Sequence, residues 1–418
     1  MGPDKRDLYR FPWSLNDNPI GWLEVTDTCN LHCRGCYRQS LDGHKSLDQL
    51  KEEVLFLKRW RNCDNISIAG GEALLHPEIV ETVGFIAHQG MKSFILSNGM
   101  ALNRHLLDDL KEAGLTGIGF HVDSLQGRPG WKDKDEMGLC ELRLSLAELV
   151  AEVGGLPPAG FGITVYRENL EAVPDLVRWT LQNQRIVGSA TFITYRSALT
   201  SAAYHVGDKP LELTQGTLGY VSDDSPEDIG ISSADVYALL RRDFPQYEAA
   251  AYLGGTQRHD SLKWLIGVLL CSNEEILGAV GPKTVEFAQV MHHLLFGTYF
   301  VYSKQASVGK PALLLAALDP AWRRVLRWYL RNPLRLLLEP LRGISIGIVQ
   351  APDLLENGLI DHCDSCPDMT YWNGKLVYSC RLDEYRKFGG LVGATPLRTA
   401  QEDRAGQAPM ERQAKREM

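Results

Sequence analysis

An α/β fold, a partial (β/α)6 TIM-type barrel, is what this sequence predicts, and three observations predict it. Between residues 20 and 200, short apolar runs alternate with longer amphipathic ones, an order of strand then helix that implies right-handed crossovers and a parallel sheet. Polar residues gather just after each apolar run, which in such a sheet is the C-terminal rim where active sites are built. The chain of 418 residues, 44% hydrophobic and 23% charged, has the composition of an ordinary globular protein with room for a large core.

Taken in order, a segment over 1–19 leads into the barrel region, 20–204. The six expected strands are IGWLEVTDTC, NISIAGGE, SFILSNG, GIGFHVDS, FGITVYR and SATFITYR, each short and rich in β-branched or aromatic residues. The helices between them are SLDQLKEEVLFLKRW, EIVETVGFIAHQ, HLLDDLKEAG, CELRLSLAELVAEVG and LEAVPDLVRWTLQN. Over 205–232 the rhythm is lost to Gly, Pro, Asp and Ser, and a mainly helical region is expected over 205–345. It holds ISSADVYALLRRDF, with serine at the N-cap, and the apolar LKWLIGVLLCSNEEI and VEFAQVMHHLLFGTYF. A small cysteine-containing segment follows over 346–396, and 397–418 is polar and aperiodic, as a disordered tail is.

The formal net charge of −8 argues against general nucleic-acid binding. An N-terminus without a signal-peptide pattern and an odd count of nine cysteines fit metal ligation in a cytoplasmic setting better than a disulfide framework. No uncharged apolar run reaches the ~20 residues a spanning helix needs.

Cys29, Cys33 and Cys36 stand at the end of the first strand. A structural zinc site wants four ligands and a disulfide two, so an isolated trio suggests a metal centre left one protein ligand short. At the end of the second strand comes Gly70-Gly71-Glu72, where glycines allow a close backbone approach and the carboxylate can accept from an ammonium group.

This pair of motifs resembles the radical S-adenosylmethionine (radical SAM) superfamily over roughly residues 20 to 200. The resemblance implies that the three thiolates hold a [4Fe-4S] cluster whose fourth iron is chelated by S-adenosylmethionine. It implies further that Gly70 and Gly71 line the methionine moiety and that Glu72 binds its amine. Ser97, Asn98, Asp123 and Ser124 suit ribose hydroxyls or the methionine carboxylate, with Asp123 the preferred ribose contact. Arg167 is suited to pair with that carboxylate, while Tyr195 and Arg196 are expected to face substrate. Glu72 and Tyr195 are the expected catalytic side chains. The family usually carries an aromatic residue just before the third cysteine; this chain has Gly35 there and Tyr37 just after.

A second trio, Cys363, Cys366 and Cys380, flanks TYWNGKLVYS, whose Asn-Gly pair between strand formers is a strong hairpin signal. The hairpin should return Cys380 toward the other two. The segment resembles the auxiliary iron-sulfur segments of the SPASM and twitch subfamilies without matching either spacing fully, and zinc is an open alternative. His362, Cys271 or the substrate itself is the expected fourth ligand. Cys63 and Cys140 read as core residues.

In AWRRVLRWYLRNPLR, Arg323, Arg327, Arg331 and Arg335 recur four apart beside an apolar face. That pattern suits a helix at a membrane interface, over an anionic apolar ligand, or packed on the protein with solvated arginines. Pro333 should kink or end it. The expectation is therefore a radical SAM enzyme acting on an unactivated carbon of a lipid-like or isoprenoid substrate, with peripheral membrane contact and a flavodoxin or ferredoxin as electron donor. A peptide or protein maturase and a non-enzymatic iron-sulfur carrier or sensor are the alternatives.

Overall fold

The computed structural model describes residues 2 to 396 except positions 40, 197, 200, 201, 215, 216, 220, 223, 225 to 229, 259, 260, 274, 303 to 307, 356 and 357. The expected tail, 397–418, lies outside the described residues.

After a two-residue strand β1 (Tyr9–Arg10), the chain runs β2 (Ile20–Thr26), α1 (Leu47–Arg61), β3 (Asn65–Gly70), α2 (Ile79–His88), β4 (Lys92–Ser97), α3 (Arg104–Glu112), β5 (Gly117–His121), α4 (Cys140–Val153), β6 (Ala159–Val165), α5 (Val173–Gln182) and β7 (Val187–Thr194). These are the six strands and five helices expected. Strands β2 to β7 pair in sequence order and all in parallel. Their outward residues, among them Leu23, Ile68, Ile95, Ile118, Phe161 and Phe192, form one apolar core with the helices. Side-chain caps begin α1 and α3: Ser46 accepts from Gln49 N and Asn103 from Leu106 N.

The short strands β8 (Ala198–Leu199) and β9 (Ala202–Val206) follow β7, so that the boundary expected between 204 and 205 falls inside β9, and β10 (Lys209–Leu211) and β11 (Val221–Ser222) lie in the stretch where the rhythm was lost. Helix α6 (Ser233–Asp243) opens with a capping box between Ser232 and Asp235. Residues 262–276, expected as helix, are instead a hairpin: β13 (Trp264–Ser272) and β14 (Glu275–Ala279), preceded by β12 (Ala251–Leu253). Asn273 makes the turn at φ 44°. An unbroken apolar run has no period that separates a buried strand from a buried helix; here a partner decides, because β13 pairs over eight residues with β15 (Arg342–Gln350). Strand β15 in turn runs parallel to β7. The boundary expected between 345 and 346 falls inside β15.

Between them lie α7 (Pro282–Phe296), α8 (Pro320–Arg331) and α9 (Pro333–Leu338). Pro333 separates the last two, with Asn332 out of helical conformation. The sheet path is β1-β12-β13-β15-β7-β6-β5-β4-β3-β2, with β14 on β13. Its end strands do not pair, so the barrel is open. Strands β16 (Asp353–Leu354) and β17 (Ile360–Asp361) lead to the expected hairpin, β18 (Met369–Trp372) and β19 (Lys375–Tyr378). It turns on Asn373 and Gly374, both at positive φ. Helix α10 (Leu382–Phe388) and β20 (Gly393–Pro396) finish the described chain. Among the described residues no helix is long and apolar enough to cross a membrane.

Candidate active site

The first cysteine loop leaves β2 and is tied to the end of β3 by backbone bonds, Gly71 N to Thr26 O (2.7 Å) and Glu72 N to Thr28 O (2.9 Å). This explains the two glycines. A Cβ at Gly70 would lie 2.4 Å from Thr26 O, and one at Gly71 2.3 Å from Thr28 O. Gly70 also sits at φ 140°. The close approach that demands glycine at these two positions is to the protein's own loop.

Cys29, Cys33 and Cys36 are half-buried and lie near enough for their charges to influence one another. Burial raises the pKa of all three thiols; at Cys33, Asp123 and the two other thiols add to it. As free thiols they would hold their protons, and a bound cation is what would draw the thiolates out. Among the described residues no three His, Cys, Asp or Glu side chains close on one metal ion. A cluster does not ask for that, since each thiolate of a [4Fe-4S] unit binds a different iron.

The Glu72 carboxylate, 1% exposed, is committed to the wall of the site. Oε1 accepts from Leu74 N (3.0 Å) and Ser97 Oγ (2.7 Å), and Oε2 from Asn98 N (2.6 Å). Burial raises its pKa, and those three donors oppose the rise. Ser97, expected to meet ribose, spends its hydroxyl on Glu72 and on Gly99 N. Asn98 reaches the cysteine loop, Nδ2 to Asn30 Oδ1 at 2.6 Å. Glu72→Gln would set an amide N–H against one of these donors. It is expected to weaken S-adenosylmethionine binding about tenfold while iron content stays intact, as equilibrium binding and iron analysis would register; wild-type affinity would leave the motif a turn only.

Asp123 is buried beside Cys33. Its Oδ1 accepts from Leu125 N, but among the described residues its Oδ2 accepts no hydrogen bond, although His121 Nε2 is 3.2 Å away. A buried carboxylate oxygen without a donor costs about 1–3 kcal/mol, and a ligand hydroxyl would relieve it. Ser124 is fastened through its backbone N–H to Glu136 Oε1 (2.7 Å). Glu136, which the sequence reading passed over, also accepts from Asn169 and pairs with the fully buried Arg143.

Arg167 is exposed. The arginine inside is Arg128, 4% exposed, which donates to Gln126 Oε1 (2.6 Å) and His121 O (2.7 Å). Burial lowers its pKa, with Cys33, Asp123 and Glu72 opposing, so it stands among the site's anionic groups. Its only sequence signal was its place in the loop after a rim strand.

Tyr166, beside Arg167, points inward and its hydroxyl accepts from Gly35 N (3.0 Å). A Cβ at Gly35 would lie 2.7 Å from that oxygen, which explains the glycine where an aromatic residue was expected. Tyr195 packs on Tyr166 with ring centroids 5.0 Å apart, and its hydroxyl donates to Asp224 Oδ2 (2.8 Å). Arg34 covers both rings and binds Glu168 and Asp224. Arg196 turns away to Asp353 and Ile231 O.

The second trio also converges. A hydrogen bond with Cys363 and burial raise the pKa of Cys366, and burial together with Cys363 raises that of Cys380. The loop is pinned from several sides: Asp364 N donates to Gly254 O, Arg10 pairs with Asp364, and Arg61 donates to the carbonyls of Cys366 (2.9 Å) and Pro367 (3.1 Å). Two of the expected fourth ligands are placed elsewhere. His362 Nε2 is taken by Arg381 (2.9 Å), and its ring stacks on Tyr378; burial and Arg381 lower its pKa to about 3. Cys271 is wholly buried in the main core at the other end of β13. Cys63 and Cys140 are core residues, as expected.

A sequence profile described as Radical SAM superfamily matches residues 23–180. Relatives include the probable GTP 3',8-cyclase of Methanocaldococcus jannaschii, 24% identical over 193 residues that make up 46% of this chain and 63% of that one. Another is the tungsten-containing aldehyde ferredoxin oxidoreductase cofactor-modifying protein of Pyrococcus furiosus, 27% identical over 38% of this chain and 47% of that one. The matches thus span less than two thirds of these relatives. Among solved structures, SuiB of Streptococcus suis is similar over 55% of this chain and 46% of its own, at 15% identity and a TM-score of 0.40. With its cysteine loop at the end of the first of six parallel strands, this chain carries a Radical SAM domain over residues 23–180, the domain that takes a [4Fe-4S] cluster and S-adenosylmethionine.

Proposed function

We propose that the chain is a radical SAM enzyme whose cluster is held by Cys29, Cys33 and Cys36 and whose substrate is a polar small molecule bound between the two cysteine loops. The observation that carries this is the convergence of three thiols with an undonated carboxylate oxygen, Asp123 Oδ2, and a buried arginine, Arg128. Held by Cys29, Cys33 and Cys36, a cluster would supply one electron, received from a donor protein, for reductive cleavage of the sulfonium of S-adenosylmethionine, the chemistry that makes an unactivated carbon reactive.

The protein's own part is to bind, orient and exclude water. Asp123 Oδ2 accepts from a ribose hydroxyl, and Arg128 takes the carboxylate role expected of Arg167. Glu72, Ser97 and Asn98 lock the rim loops to one another. Tyr166, Tyr195, Arg34 and Asp224 close over the cysteine loop on the substrate side. An electron donor of the flavodoxin or ferredoxin kind is required.

The inner wall favours a polar substrate over a lipid: His121 Nε2 lies 2.9 Å from Thr164 Oγ1, and Tyr195 is bonded to Asp224. The GTP 3',8-cyclase relative, by its name, acts on a nucleotide, which agrees with this choice. A peptide substrate is the second reading, favoured by the convergence of the C-terminal cysteines.

Cys363, Cys366 and Cys380 are proposed to hold a second iron-sulfur cluster with its remaining position facing substrate. Replacing all three with alanine should remove about half the iron per chain and leave substrate-free cleavage of S-adenosylmethionine intact; zinc by elemental analysis, or no metal change, would end this part of the proposal. The whole reading is tested by adding dithionite and S-adenosylmethionine to the anaerobically reconstituted chain. 5'-Deoxyadenosine is the expected product, and its absence would leave an iron-sulfur carrier or sensor.

A further inference from the structure

We infer that the end of the barrel opposite the cysteine loop is a docking surface for an anionic lipid bilayer. Helix α8 buries Trp322, Val325 and Tyr329 against β14, so its remaining faces are turned outward. What they and their neighbours show to solvent is apolar to an unusual degree: Leu314, Leu330, Leu334, Leu337 and Leu338 are each 66 to 80% exposed. In a closed surface such side chains are ordinarily scattered singly. Here α9 carries three of them within five residues, and Lys310 Nζ donates to Leu337 O (3.1 Å), which joins the helical turn bearing Leu314 to the end of α9.

A second set, Leu294, Leu295 and Phe296, ends α7 and is about as exposed. Both sets stand at the N-terminal ends of the parallel strands. Glu275, in the hairpin tip beside the start of β15, accepts from Trp328 Nε1 (3.0 Å) and Arg335 NH1 (3.3 Å). At the end of α7, Gly297 O accepts from Asn62 Nδ2 (2.7 Å), just before β3.

Charge selects the occupant. Residues 310–340 carry six cations against two anions in a chain of net charge −8, and one of the two anions, Asp319, is buried as a helix cap. Arg323, Arg324, Arg327 and Arg331 are exposed and make no ion pair among the described residues, whereas Arg335 does. Exposed leucines beside unneutralised arginines match an interface of acyl chains and anionic headgroups. A second copy of an acidic chain would meet only part of that pattern. Because this surface lies away from the cysteine loop, it holds the protein at a membrane without delivering lipid to the site, and the inference stands independently of the proposed chemistry.

The test is flotation of the full chain with phosphatidylcholine vesicles, with and without phosphatidylglycerol. Binding is expected only to the anionic vesicles and is expected to weaken severalfold at high salt. The triple variant Leu334→Glu, Leu337→Glu, Leu338→Glu should lose about tenfold or more of that binding. Arg324→Gln with Arg327→Gln and Arg331→Gln should erase the preference for phosphatidylglycerol. Unchanged circular dichroism would show that both variants fold. Equal binding to neutral vesicles, no flotation, or undiminished binding of the leucine variant would overturn the inference. So would sedimentation showing a dimer that the leucine variant dissolves, which would assign the face to a second copy.

Discussion

Replacing Cys29, Cys33 and Cys36 together with alanine is expected to abolish reductive cleavage of S-adenosylmethionine, with 5'-deoxyadenosine falling to the level of a protein-free control. The size of the effect follows from the chemistry of the ligand set. A [4Fe-4S] unit held by three thiolates has no fourth protein ligand in reserve, and the buried carboxylates nearby are committed: Glu72 to three donors of its own wall, Asp123 by one oxygen to Leu125 N. The loop itself should survive, since its ties to β3 are backbone to backbone. Iron analysis beside product chromatography would check this, and cleavage at the wild-type rate in the triple variant would refute the assignment.

Arg61→Met is expected to cost on the order of 3–5 kcal/mol of stability and to empty the second cysteine site while sparing the first. Arg61 ends α1 and is fully buried. Its guanidinium donates to the carbonyls of Ile20 (2.9 Å), Leu15 (3.0 Å), Cys366 and Pro367. Methionine fills similar volume but takes one donor from each of four carbonyls, and two of them belong to the loop that carries Cys363 and Cys366. Burial lowers the arginine's own pKa, with Cys366 opposing. The urea midpoint should fall at unchanged slope, and metal bound per chain should drop with it. Full metal content in a destabilised variant would show that Arg61 braces the fold without shaping the cysteine loop.

Arg61 also marks the limit of what a sequence displays. In FLKRWRNC it is one of several cations in the last turn of a helix, where a solvated charge is the ordinary outcome. Only the passage of a segment three hundred residues later turns it into a clamp. Arg128 is a similar case, since nothing local separates it from Arg167; the chain's path after β5 and β6 sends one inward and the other outward.

The sequence by itself determined the features that depend on near neighbours. The alternation of strand and helix over the first six units, the serine cap of α6, the Asn373-Gly374 hairpin and the spacing of both cysteine trios are written within windows of a few residues to a few tens, where periodicity and turn chemistry act. Tertiary structure decided what depends on distant partners. Residues 264–272 are a strand because β15 offers them a hydrogen-bonding edge. Gly70 and Gly71 are glycines because the cysteine loop's backbone lies against them, and Ser97 is spent on Glu72 because β4 stands beside β3. The physical reason is the same throughout: apolar period and turn propensity are local quantities, whereas a buried polar group's role is fixed by whichever donor or acceptor the fold brings within about 3 Å of it.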